Sequence, residues 1–171
     1  MTQLLRLLVQ IALLRRGPSE LPASTVLLVL AGVAYAAARA VRYWMRFGDD
    51  QLWARAAVDL GLMIALAWLV LAATRRLGRF RQTLTAMLGT AVVIAPIGIG
   101  LLVLQEQALL ADALRWLAWV GSVALIIWYT LVVGHILKSA LEVGLVTSVA
   151  IALTWLLASD ALIRRIFPAV A

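Results

Sequence analysis

The sequence predicts an all-α integral membrane protein: a five-transmembrane-helix bundle with an N-terminal amphipathic interfacial helix. Three observations carry that prediction. Hydrophobic residues make up 65% of the 171-residue chain, with a mean hydropathy of +1.03, whereas soluble domains average roughly 45–50% apolar. Charged residues are only 13% of the chain, about half the usual share of roughly 25%, too few to cover a surface facing water. The apolar residues also gather into five runs, each close to the roughly 20 residues a helix needs to cross a bilayer core of about 30 Å. Lipid offers peptide groups no hydrogen bonds, so such runs must satisfy their own backbones as helices.

The first segment is short. Leu4, Leu5, Leu7, Leu8, Ile11 and Leu14 are apolar, while Gln3, Arg6 and Gln10 share one helical face by their three- and four-residue spacing. Arg15 and Arg16 follow, then Gly17 and Pro18. A signal peptide carries its positive charge ahead of its apolar core. Residues 1–17 are therefore read as an amphipathic helix on the membrane surface, with a signal peptide or a sixth span as alternatives.

The transmembrane domain spans 21–163, with helices at about 21–41, 52–73, 84–104, 116–137 and 143–163. Arg39 lies near the end of the first, Arg55 and Asp59 near the start of the second, and Asp160 near the end of the fifth. The third is uncharged, and the fourth carries only His135. Gly48, Asp49 and Asp50 predict a turn, with either aspartate able to cap the second helix. Arg75, Arg76, Gly78, Arg79 and Arg81 form a basic connection. Gln105, Glu106, Gln107 and Asp112 form an acidic one. Both are too short for a folded soluble domain.

The basic connection sets an expected orientation, because short clusters of Lys and Arg stay in the cytoplasm. The N-terminus is then cytoplasmic and the C-terminus outside. Arginine outnumbers lysine fourteen to one, and alanine and leucine are abundant. Read as the coding bias of a GC-rich genome, this points to a bacterial inner membrane. Tyr43, Trp44, Trp53, Trp116 and Trp119 suit an aromatic belt at the interfaces. Trp68, Trp128 and Trp155 lie deeper and are expected to pack between helices.

The net charge of +7 does not predict nucleic-acid binding, because the arginines fall in short clusters between apolar runs instead of along one face. Such clusters anchor helices in anionic headgroups. The chain has no cysteine and one histidine, which rules out disulfides, thiol catalysis and a multi-histidine metal site. No catalytic or nucleotide-binding motif is present, and no cofactor is implied.

Three constellations are candidate sites. Asp59 lies one turn beyond Arg55 on the same helical face. An Asp59–Arg55 pair orienting the helix is the structural reading, and an ion or proton path is the functional one. His135, Lys138 and Glu142 follow at spacings of three and four. They are read as a helix-end polar network beside the Arg75, Arg76, Arg79 and Arg81 connection, and as the expected functional surface. Pro96, Gly98 and Gly100 predict a helix break or a simple kink in the third span. Small residues also recur every fourth position at Gly32-Ala36-Ala40, Ala57-Gly61-Ala65 and Gly144-Ser148-Ala152. These faces are expected to pack within the bundle, or alternatively in a homo-oligomer.

Two stretches carry a resemblance. One runs Arg79-Phe80-Arg81-Gln82-Thr83-Leu84-Thr85-Ala86-Met87-Leu88-Gly89-Thr90, the other Gly134-His135-Ile136-Leu137-Lys138-Ser139-Ala140-Leu141-Glu142-Val143. With the five-span layout, the chain resembles small bacterial membrane proteins related to the Yip1 family. The resemblance implies five spans and a cytoplasmic N-terminus, and it brings no catalytic or ligand residue. Eukaryotic relatives bind small GTPases through a longer N-terminal region that this chain lacks. The expected function is non-enzymatic: binding a membrane-protein partner or lipid. A transporter or channel component, with Asp59 or the Pro96 break lining a cavity, is the alternative.

Overall fold

The computed structural model describes residues 2–48, 51–106 and 112–168. Six α-helices are found among them: α1 Thr2–Ala12, α2 Thr25–Phe47, α3 Leu52–Ala73, α4 Phe80–Glu106, α5 Asp112–Leu141 and α6 Leu145–Ile166. Short 3-10 turns at Pro18–Glu20 and Leu77–Arg79 lead into α2 and α4. Helices α2 to α6 are each long and apolar enough to cross a membrane. They run up and down, so the α3–α4 and α5–α6 turns meet at one end of the bundle. Arg79 of the first turn binds Glu142 of the second.

Local chemistry sets the helix limits. Ser24 starts α2 by accepting a hydrogen bond from the Leu27 N–H at 3.3 Å, the usual role of serine at this position. The helix then continues past the expected end at Val41 to Phe47, because long arginine side chains carry their charge away from the backbone. α3 begins at the expected residue, but Gln51 is its N-cap, left-handed and without a side-chain bond. The expected aspartate caps, Asp49 and Asp50, lie outside the described residues. α4 runs through Pro96, Gly98 and Gly100 without interruption, so this segment is one helix and not the broken one that was the alternative to a simple kink. A proline removes only one donor, and neighbouring turns of a membrane helix absorb that loss. Gly98 instead admits Leu125 of α5, whose Cδ2 lies 3.3 Å from where a Cβ would stand.

α4 is the axis of the bundle. Residues 83–90 are all buried, because α1, α2, α3 and α5 pack around that stretch. Two of its threonines are satisfied by donating backwards, Thr83 to the Arg79 carbonyl at 2.9 Å and Thr90 to the Ala86 carbonyl at 2.7 Å, while the buried Thr85 hydroxyl has no partner among the described residues.

Helix α1 stops at Ala12, short of the expected residue 17, and it is built into this core. Leu8, Ile11 and Ala12 are buried against α4 and α5. Leu8 occupies the space over Gly89, where a Cβ would come within 2.7 Å of its methyl group. The Trp128 indole N–H of α5 donates to the Ala12 carbonyl at 3.0 Å. A second apolar row, Leu5, Val9 and Leu13, faces outwards, and Gln3 and Arg6 are exposed beside it. The helix thus has a bundle face, an apolar outer face and a polar edge.

The three small-residue faces have different fates. Ser148 and Ala152 of α6 are buried, and Gly134 lets the α6 backbone approach α5 closely. A Cβ there would stand 3.0 Å from Val149 Cα and 3.2 Å from its nitrogen. Gly32, Ala36 and Ala40 of α2 are half-buried to buried. The face through Ala57 and Gly61 of α3 is exposed instead, with nothing near Gly61. Trp68 of α3 is also 53% exposed, so it does not pack between helices as expected, whereas Trp128 and Trp155 do pack against the core. Sequence spacing identifies a face but not the neighbour it meets.

Gly134→Ala is predicted to destabilise the bundle by about 1–3 kcal/mol, since backbone must move to accept the methyl. Gly61→Ala should leave stability unchanged or slightly raise it. Unfolding of both purified variants in detergent checks the contrast.

Candidate functional site

Two polar constellations stand out, one at an end of the bundle and one within it. The first lies where the α3–α4 turn meets the α5–α6 turn. Arg79 donates through one nitrogen to the Ser139 and Ala140 carbonyls, at 3.1 and 3.3 Å, and through the other to Glu142 at 2.7 Å. It therefore caps the carbonyl end of α5, where a cation also suits the helix dipole. Arg76 takes the other oxygen of Glu142 at 2.7 Å. Glu142 is left-handed, with φ of 54°, and its N–H bonds back to the Lys138 carbonyl. It is a helix-ending residue whose side chain fastens the neighbouring turn.

His135 faces elsewhere. Its Nε2 lies 3.1 Å from the Arg16 carbonyl, and since a carbonyl only accepts, Nε2 is the donor. The Gln82 amide donates to the Leu21 carbonyl at 2.7 Å. These two bonds tie the segment between α1 and α2 to the same end. A cavity of about 290 Å3 lies between that segment and α4 and α5, lined by Pro18, Ser19, Arg79, Gln82, Thr83, Ser139, Ala140 and Glu142.

The expected polar network is thus divided. Glu142 joins the basic connection and His135 joins the Arg16 backbone. Lys138 is exposed and makes no ion pair among the described residues. Arg76 and Arg79 are fastened, and Arg16 pairs with Glu20. Arg15, Arg75 and Arg81 are exposed and, among the described residues, outside every ion pair. The Ser139 hydroxyl donates to the His135 carbonyl at 3.2 Å, not to its ring, so the two do not form a nucleophile–base pair.

The charge balance of this end is lopsided. It holds Arg15, Arg16, Arg75, Arg76, Arg79, Arg81 and Lys138 against Glu20 and Glu142, which is five of the chain's net seven positive charges. The other end holds at least as many arginines but most of the acids.

The second constellation lies within the membrane-spanning region. Asp59, seven residues or about 10 Å into α3, is bound by the Arg39 guanidinium of α2 and accepts from the Tyr35 hydroxyl at 3.3 Å. The expected Asp59–Arg55 pair does not form. Helical side chains lean towards the N-terminus, so Arg55 points away from Asp59. Its guanidinium lies over Phe47 at 4.4 Å and over Phe167 at 5.0 Å. Arg39 takes its place because α2 and α3 form an antiparallel hairpin, in which residues equally far from the turn share a level.

No protein-family model, curated protein or solved structure matches this chain.

Asp59→Asn is predicted to destabilise the bundle by about 3 kcal/mol, because it leaves Arg39 without its counter-charge. Detergent unfolding of D59N beside wild type measures this. At the basic end, the bond from Arg76, then that from Arg79, holds the Glu142 carboxyl down at about 2, and Glu142 in turn raises the Arg76 guanidinium. A depressed carboxyl contributes stability in full above its ordinary value of 4.5 and loses it as pH falls towards about 2. The stability gap between wild type and Glu142→Gln should therefore narrow across that window, as pH-dependent unfolding would record.

Proposed function

We propose that this chain is a non-enzymatic multi-pass membrane protein that works by binding, through its basic end, either anionic lipid or an acidic segment of a membrane-protein partner. One observation carries the reading: Arg15, Arg75, Arg81 and Lys138 are exposed and unpaired among the described residues, on a scaffold already fastened by Arg76, Arg79 and Glu142. Cations that do no internal work are free to meet an outside anion. Each basic residue near an anionic membrane surface contributes about 1 kcal/mol.

A bacterial inner membrane with this end in the cytoplasm is the location that fits the reading, since basic clusters stay inside and anionic lipid attracts them. Kinship with the Yip1 family fits it as well. The two stretches behind that resemblance, 79–90 and 134–143, lie side by side in space and together build the basic end. The transport alternative asks Asp59 or Pro96 to line a cavity, and neither lines the one at the basic end.

Replacing Arg15, Arg75, Arg81 and Lys138 together with glutamine tests the proposal. The variant should fold normally and lose anionic lipid or a partner protein that purifies with the wild type. An unchanged complement of lipids and proteins defeats the reading.

A further inference from the structure

Arg55 is a charge that the internal contacts described above do not account for. It stands three residues into α3 and is only 6% exposed. Its Nε is buried without a hydrogen-bond partner among the described residues. Phe47 and Phe167 lie against the guanidinium, and aromatic rings interact with the flat faces of such a group. Its N–H bonds point outwards in the plane, where a ring accepts nothing. Asp59 is already taken by Arg39 and Tyr35.

The surroundings add positive charge. Arg46 lies 5.7 Å from the centre of the same Phe47 ring, which puts the two guanidinium carbons within about 10 Å of each other. The first turn of α3 holds no acid, and Gln51 makes no side-chain cap bond. Among the described residues, no side chain caps the first N–H groups of α3, which sit at this level with its positive dipole end. Exposed Trp44 and Trp53 mark the level as a membrane interface, where lipid phosphates lie. A charge this buried requires an opposite charge.

We propose that Arg55, with Arg46 and the N-terminus of α3, binds a phosphate group: that of a phospholipid headgroup in the leaflet at the α2–α3 end. The planar edge of a guanidinium offers paired donors that match phosphate oxygens, and the two rings hold that edge in place. The proposal stands apart from the basic end, since none of these residues belongs to it.

The full chain, purified in neutral detergent, is offered phosphatidylglycerol, a phosphate-free galactosyl diacylglycerol, or inorganic phosphate. Native mass spectrometry counts retained lipid, and melting reports stabilisation. Wild type should retain one phosphatidylglycerol that the galactolipid does not replace. R55Q should weaken its retention about ten- to a hundredfold, the effect of losing a charge-assisted bond. R55K, which keeps the charge without the planar edge, should fall between the two and serves if R55Q does not fold. D49N/D50N should retain the lipid as wild type does. Equal retention by wild type, R55Q and R55K overturns the proposal. So does a D49N/D50N variant that melts as early as R55Q while lipid retention is the same in all, since an adjacent aspartate is then the counter-charge. Stabilisation by inorganic phosphate but not by phosphatidylglycerol overturns the lipid assignment.

Discussion

The enclosure of residues 83–90 on α4 is the constraint on which the architecture depends. In lipid, helices gain little from hiding apolar surface, so they associate through close contact and a few well-placed hydrogen bonds. α4 provides the surface for most of that contact, with α1, α2, α3 and α5 around its first third. Glycine is placed where the approach is tightest, at Gly89 under Leu8 and at Gly134 against Val149. Polar residues serve the same end. Gln105, near the far end of α4, donates to Ser122 at 2.7 Å and to the Ala118 carbonyl at 3.1 Å, tying α4 to α5 where Thr83 and Thr90 bond only within their own helix.

The arginines divide by what holds them. Arg39, Arg76 and Arg79 are structural: each bridges two elements and has a carboxylate partner. Arg16 and Arg164 pair four residues along the chain, an arrangement worth only a few tenths of a kcal/mol at an exposed site. Arg15, Arg75, Arg81 and Arg55 lack such a partner among the described residues, the first three in the open and Arg55 under aromatic cover. A basic composition therefore understates how unevenly the available positive charge is distributed.

The membrane class and the five long helices were legible because they follow from run length and composition, which are properties of single segments. Limits were less legible where side chains override hydropathy: the arginines of α2 did not stop it. The meeting of the Arg75–Arg81 connection with Glu142 was foreseeable from the up-and-down layout, since both turns fall at one end. The partner of Asp59 was not found by looking along its own helix. The usable signal was symmetry about the α2–α3 turn, with Arg39 ten residues before Asp49 and Asp59 ten after it. Which small-residue face meets a neighbour, and which faces outwards, depends on helix rotation, a property of the whole bundle.

The seating of α1 has a bearing on biogenesis. This helix is made before the five long ones, yet its carbonyl at Ala12 waits for an indole 116 positions later in the chain. Until α4 and α5 are in place it has nowhere to dock. Its division into two apolar rows and a polar edge suits that interval, because such a helix rests stably among headgroups while the remaining segments are threaded. Docking of α1 is then a late event in maturation, and the row that first gripped lipid becomes the one that seals the finished bundle.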